Sequence, residues 1–255
     1  MGAFEGEIGF DQKVGSGIES FRPQGANVWR VALIPKVRKV ADLTPEQIET
    51  LQGLVPTKLA EEYTLGGEKC WLHWTTIGAK VHWFESIKRS VVCNSKPGEP
   101  PAACCKHDTS TNGASFYFVL PIYKYATAAD GSFVNNDPKT AFQGGKLLAW
   151  KLSEAKFKQI HATNEAAFIA DHDLRVEGEP RGDFTVVQIR NFREALWRQN
   201  PEIMDKLLVK AEEVWQFAPR RVGAIMTDID LEEKLGVRKP DVPGTADFDD
   251  SILSV

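Results

Sequence analysis

The chain has 255 residues and a formal net charge of −4 at pH 7. This length is enough to bury a hydrophobic core without staples, so a metal is not needed merely for folding. The acidic balance excludes nucleic-acid binding through overall positive charge, so any such affinity must come from local basic surface. No apolar run approaches the roughly 18 residues of a membrane span, and the first six residues lack a signal-peptide pattern, so we expect a cytosolic protein.

The N-terminal part divides into an acidic and a basic segment. Residues 1 to 20 are rich in glycine and acidic side chains and predict a flexible arm. From Phe21 to Val40 there is no acidic residue, and Val28 to Ile34 predicts a strand, so this basic segment is a first candidate binding surface. Next, Thr44-Pro45-Glu46-Gln47 predicts a helix start, with Thr44 as N-cap and Gln47 completing a capping box.

The middle of the chain predicts strands and two helices. Short apolar runs bounded by turn signals predict strands at 69–77, 80–84, 115–125, 146–152, 174–176 and 184–189. Residues 153–167 and 200–217 predict helices. Several short strands with irregular loops favour a mainly β, α+β fold built on a small barrel over a parallel α/β sheet. We expect a core over 21–220 and a largely disordered acidic tail over 221–255.

Soft metal ligands are concentrated in one stretch of the chain. Cys104 and His107 form a close pair, Cys93 precedes Cys104 by eleven positions, and His82 precedes Cys93 by eleven more. In a reducing compartment cysteines favour metal binding or free thiols over disulfides. The spacing predicts a structural zinc loop at about 82–107, with Cys105 and His73 as alternative ligands, and four protein ligands leave no open catalytic position. The other interpretation is that these cysteines are small buried side chains beside an incidental histidine.

Basic and aromatic side chains alternate around this loop. Bases of a single strand stack on aromatic faces while Lys and Arg neutralise phosphates. Alternatively, half of these aromatics belong to the core, because one face of an amphipathic strand points inward. The predicted nucleic-acid-binding residues are Arg30, Lys36, Arg38, Lys39, Trp74, Lys80, Trp83, Lys88, Arg89, Lys106, Tyr117, Tyr123 and Lys124.

The ligand order, followed by an aromatic strand and Leu120-Pro121-Ile122-Tyr123, resembles the zinc-containing core of bacteriophage single-stranded DNA-binding proteins of the T-even type. The resemblance implies an oligonucleotide-binding (OB) barrel with an inserted zinc loop, ligated by His82, Cys93, Cys104 and His107. It also implies that the protein coats and protects single-stranded DNA in phage replication, recombination or repair, in the host cytoplasm. An acidic C-terminal tail would recruit replication or recombination proteins. Three features differ from the family: His107 stands at its usual third cysteine, Cys105 is an extra thiol, and the N-terminal arm is acidic.

Two other classes of function remain open at this point. A zinc-containing phage transcription regulator would present the same basic and aromatic surface. A metal-dependent nuclease would rest on Asp171-His172-Asp173 or on Asp228 and Asp230, although such runs are usually solvated loop charges. We therefore expect no enzymatic activity.

Overall fold

The structure is a computed structural model, and it describes residues 19–23, 25–57, 59–74, 77–110, 113–128, 142–162, 169–179, 184–188 and 196–238. The predicted arm, apart from its last two residues, and residues 239–255 of the predicted tail lie outside this range. The described residues combine two β-sheets with five α-helices, which confirms the α+β class. None of these helices combines the length and the apolar composition that crossing a membrane requires.

Eleven strands and five helices are described. The strands are β1 Ser20–Phe21, β2 Val28–Leu33, β3 Lys36–Lys39, β4 Ala60–Leu65, β5 Glu68–His73, β6 Ile77–Phe84, β7 Arg89–Val92, β8 Ser115–Lys124, β9 Lys146–Ser153, β10 Leu174–Gly178 and β11 Phe184–Gln188. The helices are α1 Pro45–Leu54, α2 Ala103–Lys106, α3 Glu154–Ala162, α4 Pro201–Val222 and α5 Asp228–Lys234, and short 3-10 turns lie at Val40–Asp42, Ile169–Asp171 and Leu196–Gln199.

The larger sheet is open within the described residues, so the expected closed barrel is not formed there. Six of its strands follow the order β1-β9-β8-β2-β10-β11, and the β6–β7 hairpin joins through β6 to β8. Strand β8 is long enough to pair with two neighbours on one side: residues 115–119 face β6, and residues 122–124 face β2. The sheet therefore branches at β8 instead of closing on itself. Strands β3, β5 and β4 form a separate antiparallel sheet.

Local sequence signals explain the helix starts. Thr44 and Gln47 make the predicted capping box, with the Gln47 amide donating to Thr44 Oγ1 at 3.3 Å. Asn200 caps α4 by accepting from the Ile203 amide, and the apolar stripe of this helix, including Leu207, is buried. Helix α4 continues to Val222, past the predicted core boundary at residue 220.

The first part of the predicted tail is folded. Residues 228–234 form α5, which starts with a capping box between Thr227 and Asp230, and Leu231 of this helix is buried. The acidic run that suggested a solvated tail thus contributes a capping carboxylate, and it lies beside an apolar residue that packs inward. Residues 222–238, part of the segment expected to be largely disordered, are thus ordered in the structure.

Two hydrophobic clusters position the functional site. The main cluster lies between the larger sheet, α3 and α4, and includes Leu120, Trp150 and Trp215. A second, smaller cluster joins the β6–β7 hairpin to α2 and α5 through Phe84, Val91, Ala103, Cys104, Met226 and Leu231. The candidate metal ligands lie at the edge of this smaller cluster.

Candidate metal centre

The β6–β7 hairpin and α2 supply the ligands. His82 lies on β6 opposite Val91 of β7, and the Cys93 amide extends the ladder by donating to the Lys80 carbonyl at 2.8 Å. Residues opposite each other in an antiparallel pair present their side chains to one face. His82 and Cys93 therefore face the same side of the hairpin, where α2 presents Cys104 and Cys105.

The four side chains have the spacing of a tetrahedral site. The ligand atoms of His82, Cys93, Cys104 and Cys105 all lie within 4.8 Å of one another. Cys105 Sγ is 3.6 Å from Cys93 Sγ, 4.0 Å from Cys104 Sγ and 3.5 Å from His82 Nε2. Zinc–ligand bonds of 2.3 Å to sulfur and 2.0–2.1 Å to nitrogen give tetrahedral edges of about 3.8 Å and about 3.5 Å. The group could hold a metal ion, and the three separations from Cys105 Sγ are close to such edges.

A carboxylate orients the histidine. His82 Nδ1 lies 2.6 Å from Asp108 Oδ2, and both side chains are almost fully buried. The Ser110 amide and hydroxyl donate to the other oxygen, Asp108 Oδ1. Despite the opposing effect of burial, hydrogen bonds from Ser110 and His82 hold the pKa of Asp108 below its ordinary value. An ionised Asp108 fixes the tautomer that leaves Nε2 free to bind a metal.

The thiols differ in acidity. Burial raises the pKa of Cys104 to about 12 and also raises that of Cys105. Burial acts the same way on Cys93, but hydrogen bonds with His82, the Ser95 backbone and the other two thiols outweigh it and lower the pKa of Cys93 to about 7. The group thus favours one thiolate, and a bound cation would stabilise the others as thiolates, the form in which cysteine binds metal.

The structure brings Cys105, the alternative ligand, into the group in place of His107. His107 follows α2 and its Nε2 lies 3.6 Å from Glu232 Oε1 of α5. Adjacent residues of a helix point in different directions. The sulfur atoms of Cys104 and Cys105, which are adjacent in the one-turn helix α2, nevertheless both lie within 4.8 Å of the His82 and Cys93 ligand atoms. His73 is on β5, opposite Lys36, and is not part of the group.

Residues after α4 hold α2 in place. Ala224 makes an isolated parallel bridge with Val91, so the chain continues along the free edge of β7. Asp228 then accepts from the Ala103 amide at 3.1 Å and from Asn94 Nδ2 at 2.9 Å. An acceptor at the start of α2 satisfies one of its free backbone donors. The metal ligands are therefore supported by residues distant in sequence.

The predicted stacking residues are split between core and surface. Trp74 and Tyr123 are 5% and 0% exposed, so neither ring is accessible to a base in this structure. Trp83 is 47% exposed, and Tyr117 is half-buried under the Lys151 ammonium. Phe116, absent from the predicted site, is 38% exposed and lies opposite Lys80 across the β6–β8 pair. Strand alternation would not have indicated that position, because Val119 and Leu120 are both buried and so neither face of β8 is exposed along its whole length.

The basic residues also differ in their availability. Those around the hairpin are exposed: Lys80, Lys88, Arg89 and Lys106. The β3 residues are partly engaged, since Lys39 pairs with Glu68 at 2.7 Å and Lys36 lies 4.0 Å from Glu212, while Arg38 beside them is half-buried. Arg30 and Lys124 are half-buried, and burial lowers the pKa of Arg30. The hairpin is the more available basic surface.

The carboxylates considered for a nuclease have structural partners. Asp173 is buried and accepts from the Tyr125 hydroxyl and the Leu196 amide. Asp171 pairs with Arg198 at 2.9 Å, and Asp230 belongs to the α5 capping box. Neither pair of aspartates belongs to a potential metal-binding group within the described residues.

Comparison of the chain with models of protein families, with curated proteins and with solved structures finds no match. The arrangement is therefore interpreted from its own geometry.

Proposed function

We propose that this chain is a zinc-containing, single-stranded DNA-binding protein. The observation that carries the proposal is Trp83, a large, exposed aromatic on a hairpin that carries Lys88 in its turn and Arg89 at the first position of β7. An indole left in water does not contribute the stabilisation that its burial would give the folded protein. Stacking of a nucleic-acid base on it, which tolerates any base, would contribute about 1–3 kcal/mol per base to binding. Lys88 and Arg89 would neutralise the adjoining phosphates.

The metal has a structural role in this proposal. His82 and Trp83 are neighbours on β6, so their side chains point to opposite faces of the hairpin. A zinc ion held by His82, Cys93, Cys104 and Cys105 would lie behind the DNA-binding face and cross-link the hairpin to α2. All four positions of a tetrahedral zinc would be occupied by protein, which suits a structural ion and not a catalytic one.

The biological role that fits this chemistry is the coating and protection of single-stranded DNA in replication, recombination or repair, as the resemblance to phage proteins implies. In the same proposal the acidic C-terminal residues recruit replication or recombination proteins. Residues 241–255 contain Asp241, Asp247, Asp249 and Asp250 and lie outside the described residues.

Binding of fluorescent single-stranded and double-stranded oligonucleotides by the full chain tests the proposal. We expect tighter binding of the single strand, loss of that preference in Trp83→Ala, and a decrease in affinity after zinc is removed by a chelator. Trp71→Phe, at a buried site in the smaller sheet, is the matched control and should bind like the wild type. A preference for the duplex would contradict the proposal and favour the transcription regulator.

A further inference from the structure

A cavity bordered by two cationic side chains, Arg22 and Lys151, lies apart from the candidate metal centre. Its volume is about 410 Å³, within the usual range for small-molecule sites, and it is bordered by Ser20, Arg22, Tyr117, Trp150, Lys151 and Phe184. Trp150 and Phe184 are buried aromatics whose tilted rings lie 5.3 Å apart between centroids, so the floor is apolar. The polar residues that border the cavity are Ser20 of β1, Arg22 directly after β1, Tyr117 of β8 and Lys151 of β9.

Lys151 is held in a fixed position at this cavity. Its ammonium lies 4.3 Å from the centroid of the Tyr117 ring and donates to the Val222 carbonyl at 2.8 Å. A lysine ammonium has three donors, so one hydrogen bond and one ring contact leave it able to bind an acceptor. Burial, together with the charge of Arg22, lowers the pKa of Lys151. An anion in the cavity would relieve that repulsion.

The cavity has no matching negative charge within the described residues. None of its lining residues is acidic, and neither Arg22 nor Lys151 forms an ion pair with a carboxylate of the described chain. Glu19, next to Ser20, faces Lys146 at 3.4 Å instead. Two cations, a serine and a tyrosine hydroxyl above an aromatic floor are a donor set that suits a phosphate group.

We propose that this cavity is a binding site for a phosphate group carried either by a free nucleotide or by the backbone of a DNA strand. The second source deepens the proposed function and rests on it. Tyr117 is opposite Ala79 on β6, and Ala79 and Trp83 share one face of that strand at a separation of about 13 Å, from four residues at about 3.3 Å each. Val81 between them is buried, so a strand stacked on Trp83 would have to pass beside Val81 to reach the cavity.

Calorimetric titration of the full chain with inorganic phosphate at low ionic strength tests the site. We expect measurable binding that Arg22→Gln and Lys151→Gln each weaken by about tenfold or more. Lys158→Gln is the matched control, because Lys158 is exposed on α3 and paired with Glu154, and it should leave binding unchanged. Arg22 is exposed, so its replacement does not disturb the core. Absence of binding, or binding unaffected by Arg22→Gln, would overturn the proposal.

Competition identifies the carrier of the phosphate. Displacement of inorganic phosphate by a deoxynucleoside monophosphate would assign the site to a free nucleotide, and displacement by an oligonucleotide without terminal phosphates would assign it to the DNA backbone. Displacement by neither would contradict the proposal. The Trp83→Ala variant separates this site from the proposed function, because it should weaken oligonucleotide binding and leave the binding of inorganic phosphate unchanged.

Discussion

His82 Nδ1 and Asp108 Oδ2 are 2.6 Å apart in a nearly solvent-free environment, although the two residues are 26 positions apart in the chain. This contact directs His82 Nε2 towards Cys105, from which it is 3.5 Å away. A carboxylate on one ring nitrogen is the usual orienting partner of a metal-binding histidine, so this contact supports the proposed zinc site.

The first prediction concerns the ligand set. Purified protein should contain about one zinc per chain, and Cys93→Ser and Cys105→Ser should each lose it, because three remaining ligands hold the ion poorly. His107→Ala should retain zinc, since His107 faces Glu232. Elemental analysis measures all of these. If Cys105→Ser retains zinc and His107→Ala loses it, the ligands are instead His82, Cys93, Cys104 and His107, as the spacing in the sequence predicts.

The second prediction concerns Asp108. Replacing it with alanine leaves His82 without its orienting acceptor, so zinc affinity should fall by about 10- to 100-fold while the stoichiometry at saturating zinc stays unchanged. Competition with a chromophoric chelator measures the affinity. Glu99→Gln is the control, because Glu99 is exposed on the same loop, and an equal loss there would remove the orienting role from Asp108.

The third prediction concerns the fluorescence signal of DNA binding. Single-stranded DNA should quench tryptophan emission, and Trp83→Phe should abolish most of the quenching because Trp83 is the most exposed tryptophan of the basic hairpin. Trp83→Ala should weaken binding by about 5- to 150-fold, which corresponds to about 1–3 kcal/mol for one stacked base. Quenching that persists in Trp83→Phe would place the base elsewhere.

The fourth prediction concerns salt. If Lys88 and Arg89 each neutralise one phosphate, replacing either with glutamine should reduce the slope of log affinity against log salt by about 0.7 for a single strand. Lys39→Gln provides the comparison, because Lys39 already pairs with Glu68. Fluorescence titrations between about 50 and 200 mM salt are sufficient. Equal slopes for the wild type and both hairpin variants would exclude these two contacts.

The fifth prediction concerns pH. Burial raises the pKa of Asp173 to about 7 from an ordinary value of 3.8, so the folded chain holds this proton more tightly than the unfolded chain does. The contribution of Asp173 to stability is therefore complete below about pH 4 and is lost as the pH rises through 7. The loss is of the order of 4 kcal/mol.

Denaturant unfolding of Asp173→Asn at several pH values measures this effect. The asparagine stays neutral and can still accept from the Tyr125 hydroxyl, which donates to Asp173 at 2.9 Å. The stability of the variant relative to the wild type should rise between pH 4 and pH 8. Asp42→Asn, at an exposed site, is the control and should show no such change. If the stability of the wild type and that of Asp173→Asn vary with pH in parallel, the raised pKa of Asp173 is contradicted.

Local sequence determined most elements and part of the metal site. Some features depend only on residues a few positions apart, so the sequence alone predicts them: the Thr44–Gln47 capping box, the apolar stripe of α4 and the alternating strands. The sequence also predicts three members of the potential metal-binding group, His82, Cys93 and Cys104, because histidine and cysteine close together in the chain are typical of zinc ligands.

Tertiary structure alone decided the rest. The choice of Cys105 over His107 depends on how α2 is turned against the hairpin by contacts with residues 224–231, more than a hundred positions later. The burial of Trp74 and Tyr123 depends on which sheet face is covered, since alternation marks two faces without saying which one meets α3 and α4. The sheet is open because one edge of β8 pairs with β6 over part of its length and with β2 over the rest. These partners are distant in sequence, so no local pattern predicts the pairing.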